Sequence, residues 1–145
     1  MNAHPFDTLP LENNGRLIFT PCPGTKEASL LGSISTLKQA GVNMLITLMD
    51  DKEMQENNAL SLPLECSKQG LDWIQLPIPD NAPPSKVFEE QWHKQIENIL
   101  SNLNSSGSIA VHCKGGSGRT GLTIALILAA YGWPTDKVIP IILNK

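Results

Sequence analysis

Short continuous runs of apolar residues alternate along this chain with apolar stripes at helical spacing. The clearest run, Val42–Leu48, is almost wholly apolar, which is typical of a strand buried on both faces. Arg16–Thr20, Trp73–Ile78 and Ser108–His112 are shorter segments with strand character. The pattern therefore predicts strands at these four places.

The intervening stretches carry helix signals. Within Leu30–Gly41 the apolar positions recur at i, i+1, i+4 and i+7, which predicts a helix ended by the glycine. Pro63–Gly70 has a proline and a glycine where a short helix would begin and end. Ser85 is a candidate N-cap for a long helix, and the apolar segment Gly121–Tyr131 predicts a buried one. The apolar face of the long helix would comprise Phe88, Trp92, Ile96, Ile99 and Leu103.

This alternation of strands and helices predicts an α/β fold with a mainly parallel central sheet flanked by helices. In such sheets ligands bind at the edge formed by the carboxyl ends of the strands. Two loops that carry candidate catalytic side chains leave that edge, one after Ile78 and one after His112. We therefore look for a site between these two loops.

Composition narrows the function classes. The chain has 145 residues, of which 41% are apolar, as expected for a single domain spanning residues 1–145. The net charge is −3 and the basic residues are scattered, so we expect neither nucleic-acid binding nor a membrane-binding patch. Three cysteines, an odd number, argue against a disulfide framework and against a structural zinc site. No secretion signal is visible, and a cytoplasmic location is expected.

The loop after the last predicted strand holds the most specific motif. Cys113 and Arg119 are separated by Lys114, Gly115, Gly116, Ser117 and Gly118, and a helix is predicted to follow. A glycine-rich turn from strand to helix can direct successive backbone N–H groups inward, and the helix N-terminus adds positive charge. Such a loop forms a cradle for a tetrahedral oxyanion, and the guanidinium fork of Arg119 can bind two of its oxygens.

The same cradle would act on the sulfur of Cys113. Inward N–H groups, a helix N-terminus and Arg119 stabilise a thiolate, whose pKa can then fall to about 3.5–7.5. Thr120 is positioned in the sequence to donate a hydroxyl hydrogen bond to that sulfur. A thiolate at the base of a phosphate cradle predicts nucleophilic attack on phosphorus and a phosphocysteine intermediate. Because Arg119 and the backbone neutralise the phosphate oxygens, we expect no metal and no cofactor.

The segment His112–Gly121 resembles the His-Cys-x5-Arg-Ser/Thr signature of the cysteine-dependent protein tyrosine and dual-specificity phosphatases. The turn Pro21–Gly24 and the loop Pro77–Pro84 carry a weaker similarity to the cyclin-dependent-kinase-associated members of that family. The resemblance implies a protein tyrosine phosphatase-like fold and hydrolysis of phosphotyrosine or phosphoserine/threonine on a protein or peptide. It also implies that His112 supports the low pKa of Cys113, although His112 could instead be a plain buried strand histidine.

The chain departs from the family near its C-terminus. Relatives usually continue with another helix that often carries a water-positioning glutamine, whereas the last glutamine here is Gln95. Two interpretations stay open, a trimmed chain and a member without that closing helix. Pro140 would interrupt a helix begun at Thr135, so we expect a short, kinked or frayed end.

The departing oxygen of the substrate needs a proton, and a carboxyl group near the cradle can supply it. Asp80 precedes Cys113 by 33 residues, on the proline-rich loop after the Trp73–Ile78 strand. The family places its general acid on such a loop, and Asp80 is the candidate. Asp80 could instead cap a turn. Asp50 and Asp51, interpreted as the start of a solvated loop, are the competing acids.

Other residues receive a structural interpretation. Cys22 and Cys66 are predicted to be small buried thiols, although either could protect an oxidised loop cysteine through a disulfide. Trp73, Trp92 and Trp133 fall at positions that face the core. The sequence assigns none of these five residues a function.

Alternative functions remain open. Relatives of the same superfamily act as inositol-phosphate or RNA 5′-phosphatases; those that act on inositol lipids share a basic residue at Lys114 but tend to carry a second lysine where Ser117 stands. A sulfurtransferase also holds a cysteine between strand and helix, but it gives Asp80 no role. A non-catalytic phosphate-binding module usually lacks the nucleophile, the arginine or the acid. The oligomeric state does not follow from the sequence.

Overall fold

Strands and helices alternate along the chain, as the apolar pattern predicts. The computed structural model describes residues 7–20, 22–23, 29–79, 85–114 and 118–143. The strands in these ranges are β1 (Asp7–Pro10), β2 (Arg16–Thr20), β3 (Met44–Thr47), β4 (Asp72–Gln75) and β5 (Ser108–His112). The helices are α1 (Leu30–Gln39), α2 (Asp51–Glu56), α3 (Leu62–Gln69), α4 (Lys86–Asn104), α5 (Gly118–Tyr131) and α6 (Thr135–Leu143).

The five strands form one sheet in the order β1-β2-β5-β3-β4. Strands β2, β5, β3 and β4 are mutually parallel, and only β1 at the edge runs antiparallel to its neighbour. The predicted mainly parallel sheet is therefore confirmed. The sequence analysis does not predict the edge strand β1, because Asp-Thr-Leu-Pro contains no apolar run. This strand forms through its antiparallel pairing with β2.

Alternate strand residues face two separate core layers. The α4–α5 layer contains the β5 residues Ile109 and Val111 together with Phe88, Ile99, Leu103, Ile124, Ile127 and Leu128 from the helices. The α1–α3 layer contains Ala110 of β5 and Leu45 of β3 together with Ile34, Leu37, Met54, Leu62 and Cys66. The sheet thus lies between helices on both faces, with β5 buried at its centre.

The predicted helices α1, α3, α4 and α5 are present. The side chain of Ser29 accepts a hydrogen bond from the N–H of Gly32 at the start of α1, and Gly41 follows that helix with φ +97°. A left-handed conformation of this kind favours glycine, as the helix-end prediction required. Gly70 ends α3 in the same way, with φ +80°.

Two sequence predictions about helices are wrong. Asp51, interpreted as the start of a solvated loop, begins α2 instead. Pro140 does not interrupt α6, which runs to Leu143. Proline removes the hydrogen bond to the carbonyl four residues earlier, here that of Asp136. Both residues are exposed, so water can bind that carbonyl and the helix continues.

The carboxyl ends of the four parallel strands lie level with one another. Thr20 of β2 pairs in register with His112 of β5, His112 with Thr47 of β3, and Thr47 with Gln75 of β4. The loop after His112 therefore leaves the middle of this edge, beside the segments that follow the other three strands. Within the described ranges, no helix is both long and apolar enough to cross a membrane.

Candidate active site

Cys113 directly follows β5 at the centre of the sheet edge, and only 4% of its surface is exposed. Its side chain packs in the α4–α5 layer, with α5 beginning five residues later. Thr120 lies in the first turn of α5, and its hydroxyl donates a hydrogen bond to the Sγ atom of Cys113 over 3.3 Å. The structure thus brings Cys113 and Thr120 together as the sequence predicts.

Two carbonyl groups of the Cys113 loop (residues 113–119) are bound by groups outside it. The carbonyl oxygen of Cys113 lies 3.1 Å from Nδ1 of His112, and that of Lys114 accepts the N–H of Cys22 over 3.1 Å. In a planar trans peptide the N–H points away from the carbonyl of the same unit. Carbonyls held outward therefore favour N–H groups turned inward, which an oxyanion cradle requires. Gly115, Gly116 and Ser117 lie outside the described residues.

Arg119, at the other end of the loop, donates hydrogen bonds to two residues of the described part of the chain, Glu53 and Ile78. Its Nη1 and Nη2 donate to Oε1 and Oε2 of Glu53 over 2.7 and 2.6 Å, a bidentate ion pair. Nη1 also donates to the carbonyl of Ile78 over 3.0 Å. Little of either side chain is exposed, 10% for Arg119 and 17% for Glu53. A short, shielded and bidentate pair of this kind fixes the plane of the guanidinium.

Glu53 is a site residue that the sequence interpretation missed. It occupies the third position of α2, whose N-cap Asp50 accepts the N–H of Glu53 over 2.8 Å. An aspartate followed three residues later by glutamate is a helix-start signature, and here it stands directly after a buried strand. That signature could have placed a helix and its glutamate at the carboxyl edge of the sheet.

The carboxylates proposed as general acids have different surroundings. Asp50 and Asp51 are exposed; Asp50 caps α2, and Asp51 accepts a hydrogen bond from Gln75 over 3.1 Å. Asp80 lies outside the described residues. The chain just before it is fixed, because Ile78 donates its N–H to the carbonyl of Leu48 and its own carbonyl accepts from Arg119.

A groove of about 440 Å³ adjoins the Cys113 loop on the side of α2. It is lined by three carboxylates, two lysines and one amide, from Asp50, Lys52, Glu53, Glu56, Asn57 and Lys114. Lys114 is exposed and belongs both to this groove and to the loop. The groove therefore presents charges of both signs beside the Cys113 loop.

Cys22 and Cys66 are buried thiols, as predicted. Burial, reinforced by the negative charges of Glu53 and Cys113, raises the pKa of Cys22 to about 12. Burial and the charge of Glu65 raise the pKa of Cys66 to about 12. Both side chains pack in the α1–α3 layer, and the N–H of Cys22 also donates to the carbonyl of Lys114 in the Cys113 loop. Among the described residues, no group of three histidine, cysteine or acidic side chains is placed to hold a metal ion.

Comparisons with known proteins agree with this geometry. A family model described as a polymorphic toxin system DSP-PTPase phosphatase matches residues 23–133. Protein tyrosine phosphatase type IVA 3 of Bos taurus is 30% identical over 132 residues, which cover 91% of this chain and 70% of the bovine protein.

Solved structures confirm the predicted protein tyrosine phosphatase-like α/β fold. Kinase-associated phosphatase, with its catalytic-site cysteine replaced by serine, matches with a TM-score of 0.81 and 18% identity over 97% of this chain and 82% of that one. PTPMT1 in complex with PI(5)P matches with a TM-score of 0.66 and 18% identity over 90% of this chain and 78% of that one. At these identities the structural likeness concerns the fold alone.

Proposed function

Because this chain belongs to the DSP-PTPase phosphatase family, we propose that it hydrolyses phosphate monoesters on proteins or peptides, with Cys113 as the nucleophile. The observation that carries the proposal is the fixed guanidinium of Arg119 at one end of a loop whose other end is a buried thiol. A sulfurtransferase or an inert glycine-rich turn would have no use for an arginine clamped in this way.

In the proposed first step the thiolate of Cys113 attacks phosphorus, an S–P bond forms and the bond to the leaving oxygen breaks. Asp80 donates its proton to that oxygen. The loop N–H groups of residues 114–118 and the Nε and Nη2 edge of Arg119 bind the other phosphate oxygens, whose charge grows in the transition state. Thr120 stabilises the sulfur, to which its hydroxyl is already directed.

In the second step a water molecule attacks the phosphocysteine and transfers a proton to the carboxylate of Asp80. The S–P bond breaks, inorganic phosphate leaves and the thiolate of Cys113 is restored. Ile78 is tied to Arg119 through its carbonyl, and Asp80 follows two residues later. Two residues span at most about 7 Å, so this tether supports a position for Asp80 at the edge of the cradle.

The groove beside Lys114 supports a protein substrate. Because Glu53 is paired with Arg119, two carboxylates and two lysines remain, and this balanced groove has no excess of positive charge to bind a headgroup or nucleic acid with several phosphates. A peptide has both donors and acceptors next to its phosphorylated residue, and it fits a groove of mixed charge. The likeness to PTPMT1 with PI(5)P makes a phosphoinositide the sharpest competing substrate to test.

A substrate panel tests the proposal. We would measure phosphate release from phosphotyrosine and phosphothreonine peptides, a phosphoinositide and an RNA 5′-triphosphate at matched concentrations. We expect turnover of one or both peptides, with kcat/KM at least tenfold above the other two substrates. Turnover of the phosphoinositide or RNA alone would replace the protein substrate with that class. Binding without turnover of any of the four would indicate a phosphate-binding module.

Arg119→Lys is expected to lower kcat by about 10²-fold or more, although the positive charge is retained. Lysine replaces a planar fork with a single point charge and cannot bind two phosphate oxygens in one plane. Steady-state hydrolysis of an aryl phosphate measures the effect, and the exposed Lys137 of α6, changed to Arg, serves as the control. A loss within about threefold would mean that Arg119 only closes the loop.

Glu53→Gln is expected to lower kcat by about tenfold, because one neutral amide replaces the carboxylate that fixes the plane of Arg119. The effect should fall on kcat more than on KM, since the phosphate still meets the same guanidinium. Glu90→Gln, at an exposed position of α4 outside the groove, is the control, and we expect it to keep kcat within about twofold. Equal losses in both variants would contradict a specific role for Glu53.

A further inference from the structure

A chain of hydrogen bonds crosses the sheet edge behind the Cys113 loop. The indole Nε1 of Trp73 donates to Oγ1 of Thr47 over 2.8 Å, and this oxygen lies 2.7 Å from Nε2 of His112. On the other side of the ring, Nδ1 of His112 lies 3.1 Å from the carbonyl oxygen of Cys113. Thr47 and His112 are fully buried, and Trp73 is half-buried.

Strand register brings these groups together on the face opposite the nucleophile. Thr47 pairs with His112 across β3 and β5, and Trp73 of β4 pairs with Leu45, two residues before Thr47. Trp73 packs against the α1–α3 layer, whereas the side chain of Cys113 packs in the α4–α5 layer. The chain of hydrogen bonds therefore reaches Cys113 through its backbone carbonyl.

The chemistry of the carbonyl and of the indole sets the direction of two of these three hydrogen bonds. A carbonyl oxygen only accepts, so Nδ1 of His112 carries a proton and donates it to Cys113. An indole N–H only donates, so Oγ1 of Thr47 accepts from Trp73. Among its hydrogen-bonded neighbours in the described residues, Thr47 has one acceptor for its own proton, Nε2 of His112. If the hydroxyl donates that proton to Nε2, the nitrogen is unprotonated and the ring is neutral, and every group in the chain of hydrogen bonds is used.

We propose that Trp73 and Thr47 are positioning residues, which hold His112 in its neutral Nδ1–H form and thereby orient the peptide between Cys113 and Lys114. The expected effect of these residues on the rate rests on the proposed function. The expected proton positions on His112 do not. Because that peptide is planar, fixing its carbonyl outward also fixes the N–H of Lys114, the first amide of the cradle. Without Thr47, a shift of the proton to Nε2 would set two acceptors, Nδ1 and the carbonyl of Cys113, against each other.

The kinetic test uses variants that remove one hydrogen-bonding group at a time. Thr47→Val removes the hydroxyl at nearly constant volume, and we expect kcat on p-nitrophenyl phosphate to fall about fivefold to tenfold, the effect of about one neutral hydrogen bond. KM should change less than twofold, because binding of phosphate by Arg119 is untouched. Thr47→Ser retains the hydroxyl and should restore kcat to within about twofold of the wild type.

Trp73→Phe removes the donor that occupies one lone pair of the Thr47 oxygen, so the hydroxyl is held less firmly in the orientation that donates to Nε2. We expect a loss in kcat of about twofold to fivefold. Trp92→Phe is the matched control, since Trp92 is also half-buried, stacks on Phe88 and lies outside this chain of hydrogen bonds. Equal losses in the two tryptophan variants would show that Trp73 contributes only packing, and would overturn its assignment.

A direct measurement of the proton positions does not depend on activity. In the ¹⁵N-labelled wild-type protein, two-bond ¹H–¹⁵N correlation spectra at pH 7 should show Nδ1 of His112 protonated and Nε2 unprotonated. In Thr47→Val the Nε2 resonance should move toward a protonated nitrogen, whereas in Thr47→Ser it should not. A wild-type ring protonated at Nε2 would overturn the proposal even in a fully active phosphatase. The expected proton positions without turnover of any substrate would instead contradict the proposed function.

Discussion

Cys113→Ser is expected to abolish turnover of an aryl phosphate, with a loss in kcat of more than about 10⁴-fold, while phosphate or tungstate still binds. A serine hydroxyl remains protonated at neutral pH, whereas the cradle can stabilise a thiolate. In the proposed site the groups that bind the oxyanion are backbone N–H groups and the guanidinium held by Glu53 and Ile78. The substitution removes none of them, so catalysis and binding should separate.

Cys66→Ser is the matched control for this prediction. Cys66 is also a buried thiol, but it lies on α3 in the α1–α3 layer, on the opposite face of the sheet from the side chain of Cys113. We expect it to change stability more than kcat. Isothermal titration with tungstate and hydrolysis of p-nitrophenyl phosphate measure the two properties in both variants. Turnover of Cys113→Ser near the wild-type rate would rule out a phosphocysteine intermediate.

Asp80→Asn is expected to slow hydrolysis of phosphotyrosine or phosphothreonine peptides by about 10²–10⁴-fold, the usual contribution of a general acid. A poor leaving oxygen needs the proton, whereas a nitro-substituted or fluoro-substituted phenolate leaves readily without it. The loss should therefore be much smaller for an activated aryl phosphate. The basic limb of the profile of kcat against pH, which reports deprotonation of the acid, should flatten.

Asp50→Asn and Asp51→Asn are the controls, because both residues lie at the same edge of the sheet. Asparagine caps helices about as well as aspartate, so Asp50→Asn should preserve α2 and with it the position of Glu53. We expect either variant to slow good and poor leaving groups equally or not at all. If one of them showed the leaving-group dependence and Asp80→Asn did not, the acid would belong to the loop after β3.

Much of the fold and the centre of the site follow from local sequence. The apolar runs predict β2, β3, β4 and β5, because a strand buried on both faces must be apolar throughout. The spacing of Cys113 and Arg119 around a glycine-rich turn, with a helix after it, predicts an oxyanion cradle because the geometry lies within one short segment. The general-acid role of Asp80 remains a prediction, made from its place in the proline-rich loop and from the family resemblance.

Other features depend on residues far apart in the chain, and only the tertiary structure decided them. Glu53 reaches Arg119 across 66 positions, and Trp73 and Thr47 reach His112 through the register of three parallel strands. A tryptophan with core spacing looks the same in sequence whether its indole N–H is hydrogen-bonded or not. Apolar periodicity shows which face a side chain takes, but hydrogen bonds between strands depend on register and strand order. Those are settled by packing of the whole sheet, which no single segment encodes.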